Sequence, residues 1–200
     1  MKIVISIIKK IFSPYILLVV SFVILVIGRY IFKQKYLNCF EIIQKHLKCF
    51  KKSNGKISKF SILMYFIVPL FMAIALLQIR NIDDEVINIL TIITSILTSM
   101  FFTLLTLILD MRSKVKNNPA YNAGDASISL QLLKETYYAI MFEILVSIII
   151  LIMCFIELFA KQFYKLWGLA LYYFSFVMLT NLFMILKRIY KVINKDLENT

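Results

Sequence analysis

The chain has 200 residues, of which 61% are hydrophobic and 17% charged, and its mean hydropathy is +0.84. Soluble domains sit nearer half apolar with about a quarter charged, so composition excludes an ordinary soluble domain and predicts an all-α integral membrane protein. The formal charge of +12 would suggest nucleic acid in a soluble chain; here it reads as basic loops on the cytoplasmic side, with no direct nucleic-acid binding.

The apolar stretches are continuous runs of about 20 residues, which fits helices and not the short alternating strands of a β-barrel. Residues 1–200 read as one transmembrane domain with four to five spans. Residues 1–12 are a short basic, apolar lead-in; Lys9 and Lys10 interrupt it, so it does not resemble a cleaved signal peptide. Ser13-Pro14 suits a helix start, and the first span is predicted over 15–32. Residues 33–59 form a cytoplasmic loop in which Tyr36, Leu37, Phe40, Ile43, Leu47 and Phe50 repeat at amphipathic spacing. Lys45, Lys48, Lys51 and Lys52 are expected on the opposite side, facing anionic lipid or a partner. The alternative is a solvated linker.

The second span is predicted over 60–79, with Pro69 kinking it near Tyr65 to Pro69. Asp83, Asp84 and Glu85 suit the start of the next helix, where the dipole favours acids. The third span, 87–109, is the most distinctive stretch. Thr91, Ser95, Ser99 and Thr103 recur every fourth residue, flanked by Thr94, Thr98 and Thr106. At about 100° per residue they share one half of the helix surface. Residues 111–136 read as a polar cytoplasmic loop, with Asp125, Ser127 and Ser129 as candidate caps for a helix that continues as Leu130-Gln131-Leu132-Leu133-Lys134-Glu135 into the fourth span. The fourth span covers 137–160, with Ala139, Glu143, Ser147, Cys154 and Glu157 on one side. The fifth covers 166–186, with Asn181 inside it.

Of the 23 lysines and arginines, 17 lie in residues 29–59, 111–136 and 187–200, which places those segments and the C-terminus in the cytosol. Five spans then leave the lysines at the start outside, whereas a first segment lying on the surface gives four spans and brings them inside.

Few residues suggest chemistry. The Ser/Thr stripe of Thr91, Ser95, Thr98, Ser99 and Thr103, with Glu143 and Ser147, reads as a helix-packing or oligomer seam; the alternative is a hydrated path for an ion. Glu143 is the sharpest single position, because an acid inside a span costs ~3 kcal/mol at the centre. It either snorkels towards Lys134 or faces the hydroxyls as a proton or cation site or an oligomer lock. Cys39, His46 and Cys49 supply three soft ligands where zinc wants four, so no metal site is expected. With one histidine and no phosphate-binding glycine pattern, no catalytic residue and no cofactor is predicted.

A Thr/Ser-rich span ends in Leu109-Asp110, a polar segment follows, and then come Leu132-Leu133-Lys134-Glu135-Thr136-Tyr137-Tyr138 and Thr180-Asn181-Leu182-Phe183-Met184-Ile185-Leu186-Lys187-Arg188. Over roughly residues 60–190 this order resembles the KwaA family, membrane subunits of the Kiwa bacterial anti-phage defence system. The resemblance implies four spans, so a fifth would be a departure. It also implies a homo-oligomer, a tetramer, in the bacterial inner membrane, acting as a non-enzymatic sensor with a cytosolic DNA-binding partner of the KwaB type. Two other functions remain open: a small ion channel or permease component using Glu143 and the stripe, and a bacteriocin immunity protein.

Overall fold

The computed structural model describes residues 16, 20, 23, 24, 39–50, 60, 63–117, 123–159 and 164–198. Among these residues there is no strand. The chain divides into two compact units, Met1–Glu41 and Ile42–Thr200. In the first, Ile16, Val20, Val23 and Ile24 are helical and exposed. Most of the predicted span 15–32 lies outside the described residues, as do Lys51 and Lys52.

The second unit is built from helices. A short helix, α1 (Phe40–Lys48), begins at the boundary of the first unit and leads into it. Four others follow: α2 (Val68–Ile79), preceded by a π-helical turn at Leu63–Ile67, α3 (Asp84–Asn117), α4 (Ala123–Glu157) and α5 (Lys165–Glu198). Helix α3 packs on α4, α4 on α5, and α5 on α2. Helices α3, α4 and α5 are long and apolar enough to cross a membrane, and Leu63–Ile79 is a shorter apolar helix. The protein is therefore an all-α, multi-pass membrane bundle. Within its apolar span α4 is 56% buried, α5 44% and α3 only 17%, so α4 is the central helix and α3 an edge.

Local sequence accounts for the elements. Asp83 caps α3: its Oδ1 accepts from the Val86 N–H at 2.9 Å and its carbonyl from Ile87 N–H at 3.0 Å. Asp84 and Glu85 occupy the first turn and Lys114 and Lys116 the last, both matching the helix dipole. Pro69 lacks the N–H that the Tyr65 carbonyl would accept, and its ring crowds that oxygen. The chain answers with the π-helical turn over Leu63–Ile67, so the expected break is a widened turn. Where α5 starts, a Cβ on Gly168 would stand 3.3 Å from Ile82 Cγ1 and 3.4 Å from Leu77 Cδ1. Its missing side chain lets the α2–α3 connection lie close, and Tyr172 fixes it there by donating from its hydroxyl to Arg80 O at 3.2 Å.

The helix expected through Leu130–Glu135 is present, but the start of the segment 111–136 is helical as well. Helix α3 runs on to Asn117 and α4 is already helical at Ala123. At 1.5 Å per residue, the 34 residues of α3 span roughly 50 Å against a hydrocarbon core of about 30 Å. Polarity there marks where the helices leave the membrane, not where they end.

Candidate functional site

The buried seam of α3 consists of Ile87, Thr94, Phe101, Ile108 and Val115. These recur every seventh residue, the repeat of helices that wind around one another. The stripe read from the sequence lies beside this seam. Thr91 and Thr98 are half-buried, whereas Ser95, Ser99 and Thr103 are exposed on the surface of the chain. Within one chain the stripe only borders the contact: Thr94 is buried in it, and Thr91 and Thr98 lie at its margin.

Five of the hydroxyls are engaged with their own helix, while that of Thr94 is buried without a partner among the described residues. Thr91 donates to Ile87 O at 2.8 Å, Ser95 to Thr91 O at 2.7 Å, and Thr98 to Thr94 O at 2.6 Å. Thr103 donates to Ser99 O at 3.2 Å and Thr106 to Thr103 O at 2.7 Å. Donors bound in this way carry little cost in an apolar medium, and what remains is a shallow strip of small side chains.

Helix α4 turns its polar residues inward. Glu143 and Ser147 are fully buried, as are Ala139 and Cys154 on the same side. Ser147 donates to Ile144 O at 2.9 Å. Glu143 does not snorkel to Lys134, and it meets α5 in place of the stripe. Asn181 of α5, also fully buried, lies against its carboxyl. The two are close enough to interact but not in hydrogen-bonding geometry, so both carboxyl oxygens and both amide atoms lack a partner among the described residues. Cys154, further along, lies beside the Thr91 hydroxyl of α3.

A second cluster docks the amphipathic helix by part of the expected face, Ile43 and Phe50, with His46 added to it. Phe40 and Leu47 are exposed, while His46 and Phe50 are buried. The His46 ring stacks on Phe142 of α4 with centroids 4.1 Å apart and planes 2° from parallel, and meets Phe50 edge-on at 5.2 Å. Phe50 in turn packs on Tyr65 and Phe66 of the π-helical turn. Burial, with the Arg188 guanidinium nearby, pulls the His46 imidazole down to about 3, so it is neutral at physiological pH. Arg188 of α5 donates to Cys49 O at 3.4 Å and pairs with Glu135 of α4 at 3.5 Å. Lys45 does not project away: its Nζ sits 5.3 Å above the Tyr138 ring. Lys48 is exposed as expected.

Sequence reasoning missed the roles of His46, Asn181 and Arg188. A lone histidine between Ile43 and Phe50 on a helix, and a lone amide inside an apolar span, were the available signals. Among the described residues no three His, Cys, Asp or Glu side chains converge as metal ligands would. Comparison with known families, curated proteins and solved structures finds no match to this chain.

Proposed function

We propose that this chain is a self-associating, non-enzymatic membrane scaffold and sensor, the membrane subunit of a bacterial anti-phage defence system. In this reading it sits in the inner membrane with four or five spans and a cytoplasmic C-terminus. The observation that carries the self-association is the surface of α3. Its span is the least buried of the three, and it presents Ser95, Ser99 and Thr103 outward with the Ser95 and Thr103 donors already bound to the helix. A conduit uses hydroxyls to replace water around a solute. A strip of small, internally satisfied side chains instead lets a second helix back approach closely.

The overhanging helical ends supply the recruiting surface. Arg112, Lys116, Lys134, Lys187 and Lys191 are exposed there, and Lys48 is exposed at the end of α1. Such cations attract anionic lipid headgroups or an acidic cytosolic protein, with a strength that falls as salt rises. The resemblance to the KwaA family supplies the partner class, a cytosolic DNA-binding protein of the KwaB type, and the oligomer, a tetramer.

The deciding experiment is oxidative crosslinking of Ser99→Cys in native membranes, followed by mass spectrometry of what co-purifies in mild detergent. The scaffold reading expects crosslinks between copies that depend on the introduced thiol, and a cytosolic protein in the eluate. Absence of the crosslink, together with ion conductance in liposomes that Glu143→Gln abolishes, would replace it with the channel reading.

A further inference from the structure

The bundle buries a carboxyl group with no visible means of neutralisation. Glu143 lies on the central helix, fully buried, between apolar neighbours such as Ile140, Ile144 and Ile150 of α4. Seen from each packed element, it meets no opposite charge among the described residues. The buried seam of α3 contributes only Ile87, Thr94, Phe101, Ile108 and Val115. Helix α5 contributes Asn181 at the site, and Arg188 is committed elsewhere, to Glu135 and Cys49. From α1, His46 is stacked on the adjacent Phe142 and neutral.

What lies beside the carboxyl is polar but uncharged. Asn181 adds an amide whose oxygen and nitrogen both lack a partner among the described residues. One turn along α4, Ser147 has given its hydrogen to Ile144 O and so offers only lone pairs. An isolated carboxylate in such surroundings is strongly disfavoured unless a positive charge joins it. Two fully buried polar side chains on different helices, beside one another and each without a hydrogen bond among the described residues, call for a further partner.

We infer that Glu143 and Asn181 form a binding site for one small monovalent cation, a proton or sodium, held between α4 and α5. Both sources satisfy the same chemistry. A proton on Glu143 would be donated to the Asn181 oxygen while the amide N–H donates back to the other carboxyl oxygen. Sodium would take the carboxyl and amide oxygens as hard ligands. Binding ties cation supply to the grip between the central helix and α5. It requires no path across the bilayer, so the inference does not depend on the scaffold reading.

The test uses the full-length protein in lipid nanodiscs and a hydrophobic carbodiimide, which reacts with a protonated carboxyl in apolar surroundings. Modification at Glu143 is followed by peptide mass spectrometry across pH, in sodium chloride or choline chloride. Labelling that falls as pH rises, by about tenfold per unit on the alkaline limb, and ignores sodium identifies the proton. Labelling that sodium but not choline suppresses identifies sodium. Labelling indifferent to both overturns the inference. Thermal unfolding gives an answer that does not depend on reagent access. The parent midpoint should move with pH or sodium, and Glu143→Gln should lose the sodium response or the part of the pH response beyond what His46 and Asp83 contribute; Asn181→Leu serves if the first variant does not accumulate. Equal responses in parent and variant overturn the site.

Discussion

Helices α3 and α4 are neighbours of nearly equal length, 34 and 35 residues, and both carry polar side chains through an apolar span. They place them oppositely. On α3, Ser95, Ser99 and Thr103 face away from the chain, and four of the stripe's hydroxyls, on Thr91, Ser95, Thr98 and Thr103, are satisfied by their own backbone. On α4, Glu143 and Ser147 face the core, and the Glu143 carboxyl finds no hydrogen bond among the described residues. The difference shows what a bilayer does to the usual pattern. In water, polar means outside; in lipid, it means either inside or towards another protein.

The contrast can be broken most severely at α4. Ser147 is fully buried, so Ser147→Leu forces extra carbon into a packed contact at a cost of ~1–3 kcal/mol. A marked fall in the thermal midpoint and in the yield of monodisperse protein is the expected readout. The same change on α3 should separate folding from assembly. Ser99 is exposed, so Ser99→Leu should leave the stability of the single chain within about 0.5 kcal/mol. It should nonetheless shift crosslinked species in membranes towards monomer.

The docked helix α1 sharpens the comparison through pH. The folded His46 titrates near 3 against an ordinary value of 6.5. Undocked, it takes a proton below pH 6.5, while docked it does not, so docking is fully stabilised above 6.5 and weakens as pH falls. The loss is up to ~1.4 kcal/mol per pH unit until the folded value is reached. Hydrogen exchange across residues 42–50, corrected for the intrinsic effect of pH, should accelerate between pH 6.5 and 5; a flat profile would show that something else holds α1 down.

Smaller effects follow at the start of α3. The bond from the Val86 N–H, and then the Arg80 guanidinium, hold the Asp83 carboxyl below its usual range. Its contribution is present above that range and fades as pH falls through the lowered value. Asp83→Ala should lower the midpoint slightly, whereas Asp83→Asn should come close to the parent, because an amide oxygen caps equally well. Least of all, Ser95→Ala with Ser99→Ala should cost ~0.6 kcal/mol or less per site in assembly, since alanine preserves close approach.

Hydrophobicity made the membrane class, the apolar helices and the irregularity near Pro69 legible before any coordinates. The faces were harder. The stripe repeats every four residues and catches the eye, but the contact that buries α3 repeats every seven through Thr94 and Phe101. The buried seam runs along the margin of the stripe and mixes Thr94 with Ile87, Phe101 and Ile108, so the polar–apolar contrast does not pick it out. Glu143 was conspicuous from its cost in lipid, but its neighbour Asn181 is 38 positions away in the chain, and no local pattern links them. For α1 the apolar count favoured Phe40 and Leu47, while the docked face turns on a histidine whose neutrality comes from its surroundings. Residues 111–117 looked like a loop because composition cannot tell a helix in water from a coil.

That overhang turns the bundle into a mechanical device. The seam of α3 continues through Val115, which is buried, so the projecting end is braced against its neighbours and does not fray. A braced rod rotates as a lever. If the span of α3 tilts by about 10°, well inside the range that membrane helices occupy, an arm of eight residues beyond Leu109, roughly 12 Å long, carries its tip about 2 Å sideways. In the sensor reading proposed above, strain or thinning in the membrane would reach water as a displacement of Arg112 and Lys116.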